Sequence, residues 1–244
     1  MFPNFRMRKR LYALMPALLP AFLFGPLSAQ TITTLAGNGT AGFSGDAGAA
    51  TSAGLNMPKG LAVAPDGTVY IADMSDYRVR AVSPKGIIST FAGNGTNAFA
   101  GDGGQAASAA LTNAESVAID GSGNLYIADT SNRRIRKVST TGVISTIAGV
   151  GVEGYTGDGG PAVNAEIGQP TALAFDASGN LYFTDSSPTS MRVRKISVNG
   201  TITTVAGNGI AAFSGDGGPA TSASIGPSYG VAVDAFGNFS SRTT

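Results

Sequence analysis

The chain has 244 residues, of which 35 are glycine, and it contains neither histidine nor cysteine. Without these two residue types it has no disulfide, no thiolate zinc site and no imidazole base, which excludes most zinc and copper centres and every histidine-dependent mechanism. Charged residues make up 13% of the chain and the formal net charge is +1, so the dense positive charge that nucleic-acid binding requires is missing.

The first 29 residues are predicted to be a secretory signal peptide. A basic segment, residues 6–10, precedes the apolar stretch 11–24, and Ala29 is the small residue before a cleavage site. Two prolines interrupt the apolar stretch, which favours a cleaved signal over an uncleaved membrane anchor. Export without cysteine then suggests a secreted or periplasmic bacterial protein, residues 30–244, that is free of the membrane after cleavage.

The rest of the chain repeats with a fixed period. The tetrad AGNG or AGVG recurs at steps of 56, 56 and 58 residues, and the same steps separate the aspartates of a glycine-rich segment. These aspartates are Asp46, Asp102, Asp158 and Asp216. The two extra residues lie in a single loop, SSPTSMR. A fixed period with a loop-localised insertion is typical of a repeat architecture rather than of a single enzyme core.

Each repeat predicts four short antiparallel strands. In the second repeat they are SVAID, NLYIAD, RRIRKVS and VISTIAG, which alternate in polarity or are rich in β-branched and aromatic residues. Small residues in the first strand suit the crowded innermost position of a β-propeller blade. The predicted blades span residues 58–92, 114–148 and 170–206, with a partial blade at 228–244.

The glycine-rich segments, such as GYTGDGGPAVNAEIGQP at residues 154–170, connect one blade to the next. We expect each segment to cross one rim of the propeller and to contain a turn followed by one or two helical turns. Its aspartate is expected to hydrogen-bond the glycine-rich backbone and to cap this helix. Because equivalent positions of a repeat share one face, all four aspartates should lie along the same rim.

The segment NLYIADTSNRRIRKVSTTGVISTIAG, residues 124–149, resembles an NHL repeat. Its combination with GDGGPA segments is similar to the long NHL units of secreted bacterial proteins and, more distantly, to the NHL region of teneurins. The resemblance covers residues 31–239. It implies an all-β propeller, usually of six blades, that serves mostly as an interaction surface.

The chain departs from that family in the number of its blades. Only three full four-stranded blades are predicted, and SSRTT stands where the fourth should continue as LYIAD. Residues 31–36, TITTLA, match only the outer strand of a unit. We therefore expect an incomplete propeller that forms an open arc, a truncated or frameshifted fragment or one part of a longer protein. Its open edges favour self-association.

Acidic and basic residues recur around the turn between the second and third strands of each blade. They are Asp73, Asp129 and Asp185 with Arg78, Arg134 and Arg192, followed by Arg80, Arg136 and Arg194. A basic face with stacking aromatics would suit single-stranded RNA. Recurrence in every blade favours instead a structural pair across the turn, such as Asp129 with Arg134, and no nucleic-acid partner is expected.

No cofactor is expected. Calcium is the alternative for the GDGG segments, whose carboxylate and carbonyl oxygens suit that ion. Each segment offers one acid where a calcium site gathers several, which favours a role in the turn. The alternative function is a metal-dependent hydrolase similar to lactonase propellers, for which only Glu115, beside Asn113, lies near an inner strand. The sequence thus favours a secreted, non-catalytic scaffold that binds an unknown protein or carbohydrate.

Overall fold

The computed structural model describes residues 31–234 and 237–243. Contacts divide the chain into Met1–Thr33 and Thr34–Thr244, and every described strand lies in the second unit. The predicted signal peptide lies outside the described residues. None of the helices within the described ranges is long and apolar enough to cross a membrane.

The strands form three four-stranded antiparallel sheets and one two-stranded sheet, each hydrogen-bonded in chain order. The first sheet contains β1 (Pro58–Val63), β2 (Val69–Asp73), β3 (Arg78–Val82) and β4 (Ile88–Ala92). The second contains β5 (Ala114–Ile119), β6 (Leu125–Asp129), β7 (Arg134–Val138) and β8 (Ile144–Ala148). The third contains β9 (Pro170–Phe175), β10 (Leu181–Asp185), β11 (Arg192–Ile196) and β12 (Ile202–Ala206). The fourth contains β13 (Ser228–Val233) and β14 (Phe239–Thr243).

Successive sheets pack as propeller blades. The inner strand β1 contacts β5, β5 contacts β9, and β9 contacts β13. No contact of comparable extent joins β1 to β13 within the described residues, so the four sheets form an open arc. The prediction of an all-β, incomplete propeller with three full blades and a partial one is therefore confirmed.

Apolar side chains fill the space between neighbouring blades. Between the first two blades, Ala72 and Val79 pack in one cluster with Val117, Leu125 and Ile127. The inner strands approach so closely that a Cβ added to Gly60 would lie 2.6 Å from the Cα of Ser116. This distance explains why the innermost strands carry small residues.

Hydroxyl groups also connect the blades. Thr130 Oγ1 donates to the carbonyl of Pro170 at 2.7 Å, and Thr171 Oγ1 donates to the carbonyl of Ser228 at 2.6 Å. In each pair, a side chain of one blade satisfies a backbone group on the inner strand of the next. These bonds add directional contacts between neighbouring blades to their apolar packing.

The segments that connect the blades, here called inserts, are residues 37–57, 93–113, 149–169 and 207–227. The second insert runs along the outer strand β8 of the blade that follows it. Gly103 N donates to the carbonyl of Ile144 at 2.8 Å, and Ile144 N donates to the carbonyl of Gly104 at 3.0 Å. The sequence predicted only that each insert crosses one rim. The insert backbone also covers the otherwise unpaired edge of the outer strands β4, β8 and β12.

Each insert contains one short 3₁₀ turn. These turns are Ala50–Ser52, Ala106–Ser108, Ala162–Asn164 and Ala220–Ser222, and similar turns, Met74–Asp76 and Thr130–Asn132, join the second and third strands of the first two blades. No side chain caps the turns of the inserts. The expected role of the repeated aspartates as helix caps is therefore wrong. The carboxylates of Asp46, Asp102 and Asp158 bind an arginine instead.

The expected outer strand at residues 31–36 is not formed, and none of these residues has strand structure. A strand requires a hydrogen-bonded neighbour, and this segment has none among the described residues. The sequence pattern of TITTLA resembles that of the outer strands, but the pattern alone does not provide a pairing partner.

Candidate functional site

Each full blade contains a buried arginine bound between two carboxylates. In the second blade, the fully buried Arg136 lies 2.6 Å from Asp102 of the insert and 3.3 Å from Asp129 at the end of β6. Thr146 Oγ1 of the outer strand donates to the second oxygen of Asp102 at 2.7 Å. This arrangement, here called the arginine network, ties an insert to three strands of its blade.

The arginine network recurs in the first and third blades. Arg80 lies 2.6 Å from Asp46 and 3.6 Å from Asp73, and Arg194 lies 2.7 Å from Asp158 and 3.9 Å from Asp185. Three of the four repeated aspartates thus occupy equivalent places beside an outer strand. Asp216 is exposed, and no arginine lies beside it in the part of the chain that the structure describes.

The expected pairing of Asp129 with Arg134 is not formed. The guanidinium of Arg134 donates to the carbonyls of Asn132 and Val150, each at 2.9 Å, and lies 3.7 Å from the ring centroid of Phe99. The arginines Arg78 and Arg192 lie 3.8 Å from the rings of Phe43 and Tyr155 in the same way. Each of these arginines lies against one face of an aromatic ring that an RNA-reading face would use for stacking.

The aspartates at the ends of the second strands, here called the inner aspartates, accept hydrogen bonds from the backbone near the end of each insert. They are Asp73, Asp129 and Asp185. Asp129 accepts hydrogen bonds from the backbone N–H of Thr112 at 2.8 Å and from the amide of Asn132. Burial raises the pKa of Asp73 and of Asp185 to about 6. Shifts of this kind occur in catalytic sites and in structural ion networks alike. Both side chains are completely buried, which keeps a substrate from reaching them.

Asp158 provides a test of the arginine network in acid. Burial opposes its ionisation, but hydrogen bonds from Arg194 and Thr204 outweigh burial and lower the pKa of Asp158 below 3.8. Its stabilising effect is therefore fully present above pH 3.8 and is lost as the pH falls through the lowered pKa. We expect Asp158→Asn to lower the melting temperature at neutral pH and to flatten its decline in acid.

The measurement is the melting temperature of the unaltered protein and of the Asp158→Asn variant between about pH 2 and pH 7. Asp216→Asn is the matched control, because it removes a carboxylate that has no ion-pair partner among the described residues. Parallel curves for Asp158→Asn and the unaltered chain would contradict the assignment.

The inner strands form a second candidate site, here called the axial mouth, at the end where the inserts enter the blades. Four equivalent positions carry four different side chains: Lys59, Glu115, Thr171 and Tyr229. With Gly60, Ser116 and Ala172 they line a cavity of about 270 Å³. Of these residues, sequence reasoning singled out only Glu115, and as a metal ligand. Comparing equivalent positions of the repeats for differences rather than for identity would have found the other three.

The side chains of the axial mouth differ in their exposure and in their bonding partners. Lys59 Nζ lies 3.1 Å from Glu115 Oε2. The hydroxyl of Thr171 is buried and bonded to the next blade, whereas the Tyr229 side chain is more than half exposed. The mouth thus presents an ion pair beside an accessible aromatic ring.

The residues considered for a hydrolase metal do not converge. Glu115 pairs with Lys59, and the amide of Asn113 donates to Ser131 Oγ at 3.0 Å. Across the described ranges, no three acidic, histidine or cysteine side chains are grouped so that they could hold a metal ion.

Comparison with known proteins relates these repeats to teneurins. A family model described as the Teneurin NHL domain matches residues 32–83 and 93–155. Teneurin-1 of Gallus gallus is 30% identical over 198 residues, and Teneurin-1 of Mus musculus is 32% identical over 170 residues. The matches cover 72% and 61% of this chain but only 7% and 6% of those proteins.

Solved structures share the fold at low sequence identity. A structural genomics protein of unknown function from Bacteroides thetaiotaomicron has a TM-score of 0.61 and 18% identity, over 76% of this chain and 44% of that one. An auxiliary nutrient binding protein from Bacteroides ovatus has a TM-score of 0.54 and 17% identity, over 78% of this chain and 46% of that one. The repeats, the four-stranded sheets and the match to the Teneurin NHL domain show that the chain belongs to the NHL-repeat β-propeller family.

Proposed function

We propose that the chain is a secreted, non-catalytic binding scaffold and that its axial mouth recognises a carbohydrate. The observation that carries the proposal is that the side chain at one equivalent position of the inner strands differs from repeat to repeat. The arginine networks keep the same residue types in every full blade. At the axial mouth, by contrast, the repeats place a cation, an anion, a hydroxyl and a phenol in one small cavity.

The chemistry of the axial mouth suits a sugar. An exposed tyrosine ring offers a flat apolar surface and a polar edge, which match the C–H face and the hydroxyl groups of a pyranose. Lys59 and Glu115 add a donor and an acceptor 3.1 Å apart. A few polar groups of this kind around a concave site fix the orientation of a small ligand.

A binding role is also supported by the places that the ionisable residues occupy. The inner aspartates are buried behind arginines, and Glu115 faces a lysine. General acid–base catalysis requires such a group within hydrogen-bonding reach of a bound substrate. Secretion rests on the predicted signal peptide at residues 1–29.

The test is binding of the full chain to an array of neutral oligosaccharides, followed by titration with the best of them. We expect Tyr229→Ala to weaken binding by at least about tenfold, since stacking and the phenol are lost together. Tyr155→Ala is the matched control, because that tyrosine is similarly exposed at 51% but belongs to an insert. The Tyr155→Ala variant should bind the oligosaccharide with the same affinity as the unaltered chain.

Failure to retain any oligosaccharide, or equal binding by Tyr229→Ala, would refute recognition of a carbohydrate at the axial mouth. Metal-dependent lactone hydrolysis that disappears in Glu115→Gln would instead establish the hydrolase alternative.

A further inference from the structure

The turn between the second and third strands of the first blade carries an acid where the second blade carries an amide. In the second blade, the Asn132 side chain donates to both carboxylate oxygens of Asp129, at 3.0 and 2.9 Å. The equivalent residue of the first blade is Asp76, whose charge acts on the inner aspartate Asp73. An ionised carboxylate has no proton to donate, so the first blade lacks this pair of hydrogen bonds.

Two carboxylate oxygens of the first blade are buried without a donor. Both acids contact the insert at Asn56, whose backbone N–H donates to Asp73 Oδ1 at 2.6 Å and whose Nδ2 donates to Asp76 Oδ1 at 3.4 Å. The Oδ2 atoms of Asp73 and Asp76 are buried, and neither has a hydrogen-bond partner among the described residues. Buried polar atoms are rarely left unpaired, because each one costs free energy. A proton on one of these oxygens allows it to donate to the other.

The arginine of the first blade neutralises its inner aspartate less closely than the arginine of the second blade does. Arg80 of β3 lies 3.6 Å from Asp73 Oδ2, whereas Arg136 lies 3.3 Å from Asp129 Oδ2. Charged groups of the neighbouring elements are bound elsewhere: Asp46 of the insert by Arg80, Arg78 of β3 by the carbonyl of Asp76, and Lys59 of β1 by Glu115 of β5.

The pKa of Asp73 agrees with this geometry. Burial is the main cause that raises the pKa to about 6, and the negative charge of Asp76 raises it further. The backbone hydrogen bond and Arg80 lower it without outweighing burial. At Asp129, by contrast, the amide of Asn132 is the largest of the effects that lower the pKa. The residue at the equivalent position of the turn thus acts in opposite directions in the two blades.

The turn that carries Asp76 is held under backbone strain. The next residue, Tyr77, has φ +51°, a left-handed conformation that is unfavourable for a bulky side chain. Backbone bonds keep the turn closed: the amide of Tyr77 donates to the carbonyl of Met74 at 3.2 Å, and the amide of Ser75 donates to the carbonyl of Asn56 at 3.1 Å. Repulsion between two ionised acids acts against these bonds.

We propose that Asp73 and Asp76 bind one proton between them and that this proton closes the turn Met74–Tyr77 against the first insert. The protonated Oδ2 of Asp73 donates to Oδ2 of Asp76, which gives both unpaired oxygens a partner. When the proton leaves to water, the two carboxylates repel each other and the turn opens. Because the closed form binds the proton more tightly, its stabilisation is fully present below pH 3.8 and is lost as the pH rises through about 6.

Hydrogen exchange of the full chain tests the proposal, read as protection factors, which correct for the intrinsic pH dependence of exchange. We expect the protection of the Tyr77 amide to fall about tenfold between about pH 5 and about pH 8. A pKa of about 6 implies this change when opening restores the ordinary value of 3.8. Arg133 is the internal control, because its amide makes the equivalent bond to Thr130 at 3.0 Å in the second blade. The protection of Arg133 should change much less.

Exchanging the two side chains between the blades should move the effect. Asp76→Asn should reduce the pH dependence of the Tyr77 amide to that of Arg133, and should raise the melting temperature at about pH 8. Asn132→Asp should give the Arg133 amide the pH dependence that Tyr77 loses. Asp66→Asn, which changes an exposed turn aspartate of the first blade, is the control and should alter neither amide.

Equal protection of Tyr77 at both pH values would overturn the proposal, and that measurement needs no variant. So would an undiminished pH dependence in Asp76→Asn, or a parallel loss of protection at Arg133 in the unaltered chain, which would indicate opening of the whole fold. Melting temperatures verify that each variant is folded.

Discussion

Replacing Arg136 with alanine is expected to lower the free energy of unfolding by about 3–5 kcal/mol. Its guanidinium is fully buried and lies between Asp102 and Asp129. Removing it leaves the carboxylate of Asp129 buried without a countercharge, and loses the bond that ties the insert to β7. The cost of breaking such a pair comes mainly from the uncompensated charge that remains.

Arg134→Ala is the matched control for this experiment, because it removes the same side chain from the same strand. The guanidinium of Arg134 binds two carbonyls and one ring and forms no ion pair with Asp129. Its loss should cost about 1–2 kcal/mol. Urea unfolding at neutral pH measures both variants. Equal losses would show that the buried network contributes no more than a surface contact.

The fold was readable from the sequence because every blade repeats the same physical constraints. Strands such as β6 pack against a neighbouring blade on both faces, which requires a nearly continuous run of apolar and β-branched residues, and the tight turns require glycine at fixed places. Three full blades and a partial one followed directly from that pattern. Residues 31–36 show where the reasoning failed, since a strand-like sequence forms a strand only when a partner edge is present.

The partner of Asp129 could not be predicted in the same way. Asp129 lies directly opposite Arg134 in the register of β6 and β7, so local reasoning favours that pair. The observed choice depends on Asp102, 34 residues away from Arg136. Its carboxylate holds the Arg136 guanidinium beneath the insert, while Arg134 extends to Phe99. A contact between an insert and a strand leaves no local periodicity in the sequence.

The inserts lie along the outer strands because the edge backbone groups of those strands require hydrogen-bond partners, which the sequence shows only indirectly. A glycine-rich segment predicts turns, but not the surface along which they run. The position of the inserts could have been predicted from the outer strand of each blade, which would otherwise expose unpaired backbone groups to other chains. Covering that edge explains both the length of each insert and its repetition with every blade.

Gly101→Ala is expected to lower the free energy of unfolding by about 3 kcal/mol, because two costs add at this position. The backbone of Gly101 has φ +94°, a conformation that is unfavourable for alanine. A Cβ there would also lie 2.7 Å from the Cα of Ala109, so the insert would have to move away from its own 3₁₀ turn. That movement would pull Asp102 from Arg136.

Gly103→Ala separates these two costs. Gly103 has φ +82° in the same insert, but a Cβ there would meet no atom within 4 Å. Its cost should be the backbone strain alone, about 1 kcal/mol. Both substitutions restrict the unfolded chain equally, so the difference between their urea unfolding curves measures the contact with Ala109. If the two variants were equally stable, the close approach of insert and turn would not be needed, and the glycine at position 101 would serve only its backbone conformation.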